Sequence, residues 1–301
     1  MAVISGTLDC GSSRVLYALH PAPTMQVIAF PGDGVPWPGS PPWSTLPNAK
    51  GLHAHAGTLL AVLHKRSQSP AAVFVVEPAS TGPTCISYYT QFLPSLTPLG
   101  EPTNGSYEVL GRKAWLELAS VLSMAWEAAG QTQIPALPVH LVGFSKGAVV
   151  LNQLLAEMNT VPLAPAQGAD QSQESEALRL LRCLTQVHFV DAGVASKGAH
   201  LTEPHVIDAI GRYVSARAAP AIFIHGTPRQ WRDPHRKWLA KERDLSVTML
   251  KTAGVSVAVR EYFAGEQPSM EMHFGCVIAF EWTADAPTGT ERSLRCLPDS
   301  S

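Results

Sequence analysis

Gly143-Phe144-Ser145-Lys146-Gly147 follows an apolar run, Pro138-Val139-His140-Leu141-Val142, and opens a second one, Ala148-Val149-Val150-Leu151-Asn152-Gln153-Leu154-Leu155. That order reads as strand, sharp turn and helix. Gly-x-Ser-x-Gly in such a place is a nucleophile elbow, in which a strained turn lifts a serine hydroxyl off the end of a strand. Its glycines meet a steric need, because the turn brings backbone against the neighbouring strand and helix where a Cβ would clash. The pentapeptide alone is weak, since it occurs by chance in many loops; the two flanking runs give it meaning.

Outward from the elbow the same alternation continues. Short β-type runs lie at Val15–Leu19, Val27–Phe30, Ala72–Val76, Val139–Val142, Val187–Val190, Ala221–Ile224 and Val255–Val259. Most are continuously apolar, as strands of a parallel sheet covered on both faces are. Helix-period segments fall between them, at Gly57–Lys65, Arg112–Ala129, Glu174–Cys183, His205–Ala216 and Pro234–Ala253, and an apolar helix-like run closes the series at Phe274–Trp282. This βαβα order predicts an α/β fold, a doubly wound and mostly parallel sheet of α/β-hydrolase type. One such domain is expected over residues 1–283, with irregular loops near 34–47, 81–107 and 159–175, where proline crowds the chain, and a disordered tail over 284–301.

The composition narrows the partners. Of 301 residues 46% are hydrophobic and 15% charged, enough apolar material for a large core. The formal net charge is −2 and no block of like charge occurs, so no nucleic-acid partner is expected and a small acyl or ester substrate fits better. The five cysteines, Cys10, Cys85, Cys183, Cys276 and Cys296, are dispersed and never spaced Cys-x-x-Cys. A reducing compartment is the simpler reading. No apolar run reaches the length of a membrane span, and the start, Met1-Ala2-Val3-Ile4-Ser5-Gly6-Thr7-Leu8-Asp9, lacks the basic region of a secretory signal, so the chain is expected not to be secreted. The pairs His53/His55, His200/His205 and His225/His235 form no tight ligand set with a carboxylate, and no metal site is expected.

A serine hydroxyl becomes a nucleophile at neutral pH only when a base takes its proton and a third group fixes the base. In chain order the elements of such a site are Ser, acid, His. His273 suits the base: it follows the last β-type run, in the loop that precedes the Phe274–Trp282 segment. Two aspartates compete as acid. Asp233 ends the loop after the penultimate strand, the commoner slot, although Asp-Pro is also a helix-start signal and Arg232 could pair with it. Asp191 ends the strand before, where its carboxylate could instead tie the following loop. The slot favours Asp233, with Asp191 as the alternative. The oxyanion hole is expected from the N–H of Lys146 and from the Pro31-Gly32-Asp33 loop after Val27–Phe30, through Gly32 and Asp33. Asp33 is out of place there, since a carboxylate opposes a developing negative charge, and it is expected to point away or to bind substrate. No cofactor is required. Besides a hydrolase of esters or thioesters, the residues admit a silent binding or scaffold protein on the same fold, or an acyltransferase.

Several passages together resemble one family, that of human chromosome 2 open reading frame 69. They are Phe30-Pro31-Gly32-Asp33; Leu141-Val142-Gly143-Phe144-Ser145-Lys146-Gly147 with Val149 to Leu155; Asp191 with Gly193; then His225, Thr227-Pro228, Gln230, Arg232-Asp233-Pro234, Arg236, Trp238 and Lys241-Glu242; and finally His273-Phe274. The likeness runs from about Val27 to Trp282 and is thinnest in the proline-rich loops. It implies a hydrolase-like fold, a serine hydrolase or esterase activity without an assigned substrate, and an association with mitochondria. Ser145, His273 and both Asp191 and Asp233 match family positions. The chain departs from the family at its start, where no basic, apolar presequence is evident, which leaves a cytoplasmic place as the alternative, and in the loop Ala195–His200.

Overall fold

The computed structural model describes residues 3–11, 13–33, 52–67, 69–81, 86–109, 113–158, 175–217 and 219–281. The proline-rich stretch 34–47, residues 159–174 and the C-terminal stretch 284–301 lie outside them. Eight strands form one sheet: β1 (Ile4–Cys10), β2 (Ser13–Leu19), β3 (Met25–Phe30), β4 (Ala71–Val76), β5 (Val139–Phe144), β6 (Leu184–Val190), β7 (Ala221–Gly226) and β8 (Val257–Glu261). Their order across the sheet is β1-β2-β4-β3-β5-β6-β7-β8. β2 runs antiparallel to both β1 and β4, and every other pairing is parallel. The helices are α1 (Leu52–Arg66), α2 (Lys113–Ala128), α3 (Ala148–Glu157), α4 (Glu176–Arg182), α5 (Pro204–Arg217), the single turn α6 (Pro228–Trp231), α7 (Lys237–Thr252) and α8 (Met270–Ala279).

Two apolar layers sandwich the sheet. One packs Trp115 and Leu118 of α2, Val150 and Leu154 of α3, and Ile207 and Ile210 of α5 against Ile28, Phe74 and Leu141. The other sets Leu59 and Leu63 of α1 and Val277 and Phe280 at the end of α8 on Val27, Val73 and Val142. Strands β3, β4 and β5 are buried along their whole length, which is why they read as unbroken apolar runs. β1 is absent from the expected strands. It is an edge strand in which exposed and half-buried positions alternate from Ser5 to Cys10 and none is fully buried, held by its backbone ladder to β2, so it lacks the unbroken apolar run that marks the inner strands. The last helix also begins earlier than the Phe274–Trp282 run suggests. Ser269 accepts the Met272 N–H and caps α8, so His273 stands in the first turn of a helix rather than in the loop before it.

At the elbow the chain passes from β5 through one turn of 3-10 helix, Ser145–Gly147, into α3. All ten residues of α3 are buried. Its polar members are engaged: Asn152 donates to the Gly198 and Ala199 carbonyls at 3.1 Å, and Glu157 accepts the Ala114 N–H at the start of α2 at 2.9 Å. A Cβ on Gly147 would lie 2.0 Å from the Phe30 carbonyl oxygen at the end of β3, a backbone atom that cannot retreat. Gly147→Ala is therefore expected to destabilise the fold by about 3 kcal/mol or more, read as a lowered urea midpoint.

Beneath the end of α8 a row of side chains, buried except for the half-buried Tyr262, crosses the sheet. His188 Nε2 meets Gln186 Oε1 at 2.9 Å, His188 Nδ1 meets His225 Nε2 at 3.1 Å, and His225 Nδ1 meets the Tyr262 hydroxyl at 3.0 Å. With the Gln186 side-chain oxygen accepting, neutral rings fix every proton: His188 donates from Nε2, His225 donates from Nε2 to His188, and Tyr262 donates to His225. Burial keeps these rings neutral. It lowers His225 to about 3, with Arg260 adding to the effect, lowers His140 to about 4 and His200 to about 3, and takes His188 well below its ordinary value. The unfolded chain protonates these histidines near pH 6.5 whereas the fold does not, so their contribution to stability is complete above that pH and is lost as the pH falls toward 4 to 3. Urea unfolding between pH 7 and pH 5 should show stability falling with acid, by up to about 1.4 kcal/mol per pH unit for each such histidine. A midpoint flat over that range would contradict the neutral row.

Candidate active site

Ser145 sits at the end of β5 with φ of +52°, a backbone conformation uncommon for a residue with a side chain. The turn holds the half-buried serine at a cleft of about 250 Å³, whose walls include His273 and Phe274 of α8, Lys146, Gly193 and Arg229. Neither the Ser145 hydroxyl nor His273 Nε2 is hydrogen-bonded to a described residue.

His273 Nδ1 lies 2.6 Å from Asp191 Oδ2. Asp191 is wholly buried just beyond β6, with φ of +44°, and its own N–H donates to the His225 carbonyl at 2.7 Å. Its carboxylate also accepts the Thr227 N–H at 2.8 Å and the Thr227 hydroxyl at 3.1 Å. A carboxylate so placed can only accept, so the imidazole turns its Nδ1–H to Asp191 and leaves Nε2 as the basic nitrogen. The ring packs 4.8 Å from that of Phe144, centroid to centroid, which holds its plane.

The geometry reverses the order of the two aspartates. Asp233 bonds not to His273 but to Arg236 Nε at 2.9 Å, Arg229 Nη1 at 3.2 Å and the His235 N–H at 2.8 Å. Burial acts to raise its pKa, but the His235 N–H and the Arg236 and Arg229 guanidiniums outweigh it and hold the carboxyl below the usual range. The physical reason is α6: that single turn carries the chain on from the end of β7, so Asp233 closes a turn among arginines, whereas Asp191 stays at its strand end beside α8. Arg232, the partner considered for Asp233, pairs instead with Glu261 at 2.7 Å.

The Pro31-Gly32-Asp33 loop lies against the serine. A Cβ on Gly32 would come within 2.6 Å of Ser145 Cβ and 3.1 Å of its Oγ. Both preceding carbonyls are engaged, Pro31 by the Tyr89 hydroxyl at 2.6 Å and Gly32 by the Ser87 hydroxyl at 2.9 Å. The N–H groups of Gly32 and Asp33 donate to none of the described residues. Asp33 accepts the Ser87 N–H at 2.7 Å and pairs with Lys146 Nζ at 2.9 Å, which also donates to the Leu99 carbonyl at 2.7 Å. The expected electrostatic conflict at Asp33 is thus met by the side chain next to the nucleophile, 5% exposed and cationic.

Other parts of the cleft escape a reading of the residues. Glu101 is buried and accepts the N–H groups of Ala195 and Ser196, fixing the loop beyond Gly193. Arg229, Gln230 and Arg236 line the wall beside α8, and Thr227 braces Asp191. Only the Thr227-Pro228, Gln230 and Arg236 matches within the family resemblance hint at them, since nothing in their spacing speaks of a site. Among the described residues no group of three or more His, Cys, Asp or Glu could hold a metal ion, and no helix is long and apolar enough to cross a membrane.

An eight-stranded sheet with only its second strand reversed, a serine raised on a tight turn after the fifth strand, and an acid and a histidine following in chain order define an α/β-hydrolase fold. Within that class the C2orf69 family profile matches residues 80–256, 177 of the 301 residues, and the chain belongs to this family. It is similar to the mitochondrial protein C2orf69 of Homo sapiens, 31% identical over 135 residues, covering 44% of this chain and 31% of that one. The Mus musculus homolog is likewise 31% identical over 135 residues, covering 44% and 33%, and the Danio rerio homolog 29% identical over 140 residues, covering 46% and 37%. The matches thus take in about a third of the length of these relatives. Among solved structures it is similar to a carboxylesterase of Mesorhizobium loti (12% identity, 90% and 95% of the chains, TM-score 0.45) and to one of Bacillus cereus (12%, 89% and 92%, TM-score 0.43).

Proposed function

We propose that this chain is a serine hydrolase that cleaves an ester or thioester through an acyl-enzyme. The observation that carries the reading is the pair His273–Asp191, at 2.6 Å, on the same cleft as a serine held at positive φ. In this reading the Ser145 hydroxyl gives its proton to His273 Nε2 as Oγ bonds to the substrate carbonyl carbon. The carbonyl electron pair moves onto oxygen, facing the N–H of Lys146 and those of the Gly32–Asp33 loop. The bond to the leaving alcohol or thiol then breaks, with the proton passing from His273 to the leaving atom. Water, deprotonated by the same nitrogen, attacks the acyl-enzyme and releases the acid and Ser145. Asp191 is the positioning acid throughout, keeping the imidazole in the tautomer that exposes Nε2. The names of the relatives favour a mitochondrial place for the protein.

A fluorophosphonate probe tests this directly. The folded protein should acquire one covalent label, mapped to Ser145 by peptide mass analysis, and Ser145→Ala should acquire none. A folded protein that takes no label overturns the reading in favour of a silent binding protein.

A further inference from the structure

Three cations line the cleft, Lys146, Arg229 and Arg236, and they differ in how fully they are engaged. Lys146 is neutralised by Asp33. Arg236 donates to Asp233 from Nε, to Gln230 Oε1 at 2.8 Å from Nη2, and to the Val194 carbonyl at 3.3 Å from Nη1. Among the described residues the one oxygen that Arg229 reaches is the same Asp233 oxygen, at 3.2 Å, so one carboxylate oxygen serves two guanidiniums. Its Nε faces the Met270 sulfur at 3.3 Å, a weak acceptor, and its Nη2 donates to none of the described residues. The other acids on the cleft add nothing to that shared pairing, Asp33 being held by Lys146 and Glu101 accepting the Ala195 and Ser196 N–H groups. Met270 stands one turn before His273 on the same face of α8, which brings the 31% exposed Arg229 side chain to the wall beside the base.

Resting on the serine-hydrolase reading, we propose that the acyl part of the substrate ends in a carboxylate held by Arg229, and that the protein acts on esters or thioesters of short dicarboxylic acids. A planar guanidinium with free N–H groups matches a carboxylate better than it matches any neutral group. The cleft, about 250 Å³, has room for a short acyl chain.

The test uses the N-acetylcysteamine thioesters of glutaric and pentanoic acids, which share chain length and differ in the terminal carboxylate. The wild-type protein should favour the glutaryl thioester in kcat/KM by about tenfold or more, and Arg229→Gln should shift the glutaryl-to-pentanoyl ratio by about 10- to 100-fold toward pentanoyl. The ratio is independent of how much protein is folded. Turnover of both thioesters with no preference, or a ratio unmoved by Arg229→Gln, overturns the carboxylate proposal and leaves the hydrolase reading standing. No turnover of either, with Ser145 unlabelled by fluorophosphonate, removes the hydrolase reading. The carboxylate site then stands or falls on calorimetry with glutarate, which must bind the wild-type protein at least about tenfold more tightly than Arg229→Gln.

Discussion

Asp191→Asn is expected to lower turnover of a neutral activated ester by about 10³- to 10⁴-fold, with most of the loss in kcat. An asparagine amide keeps the shape of the carboxylate but presents a donor on one side. The oxygen that now accepts from His273 Nδ1 also accepts from the Thr227 hydroxyl, and the other oxygen accepts the Thr227 N–H. The substituted side chain turns its carbonyl oxygen to one of these and its amide to the other. If the Thr227 N–H keeps the oxygen, His273 must accept at Nδ1, carry its proton on Nε2 and lose the lone pair proposed to take the Ser145 proton. Asp233→Asn should cost about tenfold at most on the same ester, because that carboxylate answers arginines and the His235 N–H. Steady-state kinetics on the two variants, checked by near-UV circular dichroism, decides between them. Equal losses, or a larger loss at Asp233, would contradict the roles derived from the geometry.

Gly32→Ala is the second large effect, and it acts through volume. The added methyl would stand 2.6 Å from Ser145 Cβ and 3.2 Å from the Phe144 carbonyl oxygen. The nearest atom to that methyl is a side-chain carbon of Ser145, whereas a methyl on Gly147 would meet the Phe30 backbone, so a small shift of the loop against the serine relieves the clash at Gly32. That movement takes its N–H groups away from the carbonyl oxygen they are proposed to receive. Loss of one such donor costs about 10²- to 10³-fold in kcat, and Gly32→Ala should fall in that range while its urea midpoint moves far less than that of Gly147→Ala. A variant that unfolds instead would show the loop to be a packing element.

Much of this arrangement is legible in the residues, for identifiable reasons. The inner strands β2 to β7 announce themselves because both their faces are largely buried, and the serine does because its turn demands glycine where Gly147 meets Phe30. Edge strand β1 is overlooked because its exposed and half-buried positions alternate, so it offers no continuous apolar run like those of the inner strands. The acid is ambiguous because Asp191 and Asp233 both follow strands in the right order, and what separates them is the direction in which α6 and α8 leave the sheet. That direction is a property of packing. Ser269, the cap that starts α8 early enough to place His273 in its first turn, is readable in principle but is masked by the apolar run beginning at Phe274. The role of Lys146 is hidden for another reason: the expected need at that position is its backbone N–H, and nothing in the pentapeptide tells where the side chain goes.

The burial of α3 on every side bears on how this region tolerates change. Most helices offer variation a permissive face; here Asn152, Gln153 and Glu157 occupy what would be that face, each joined to a different part of the chain near Gly198, Glu108 or Ala114. A saturation scan across residues 148–157 would therefore look like that of a central strand, intolerant at consecutive positions rather than with a period of about 3.6. The helix behind the serine is in that sense an inheritance unit, free to vary only together with two distant loops and the start of α2.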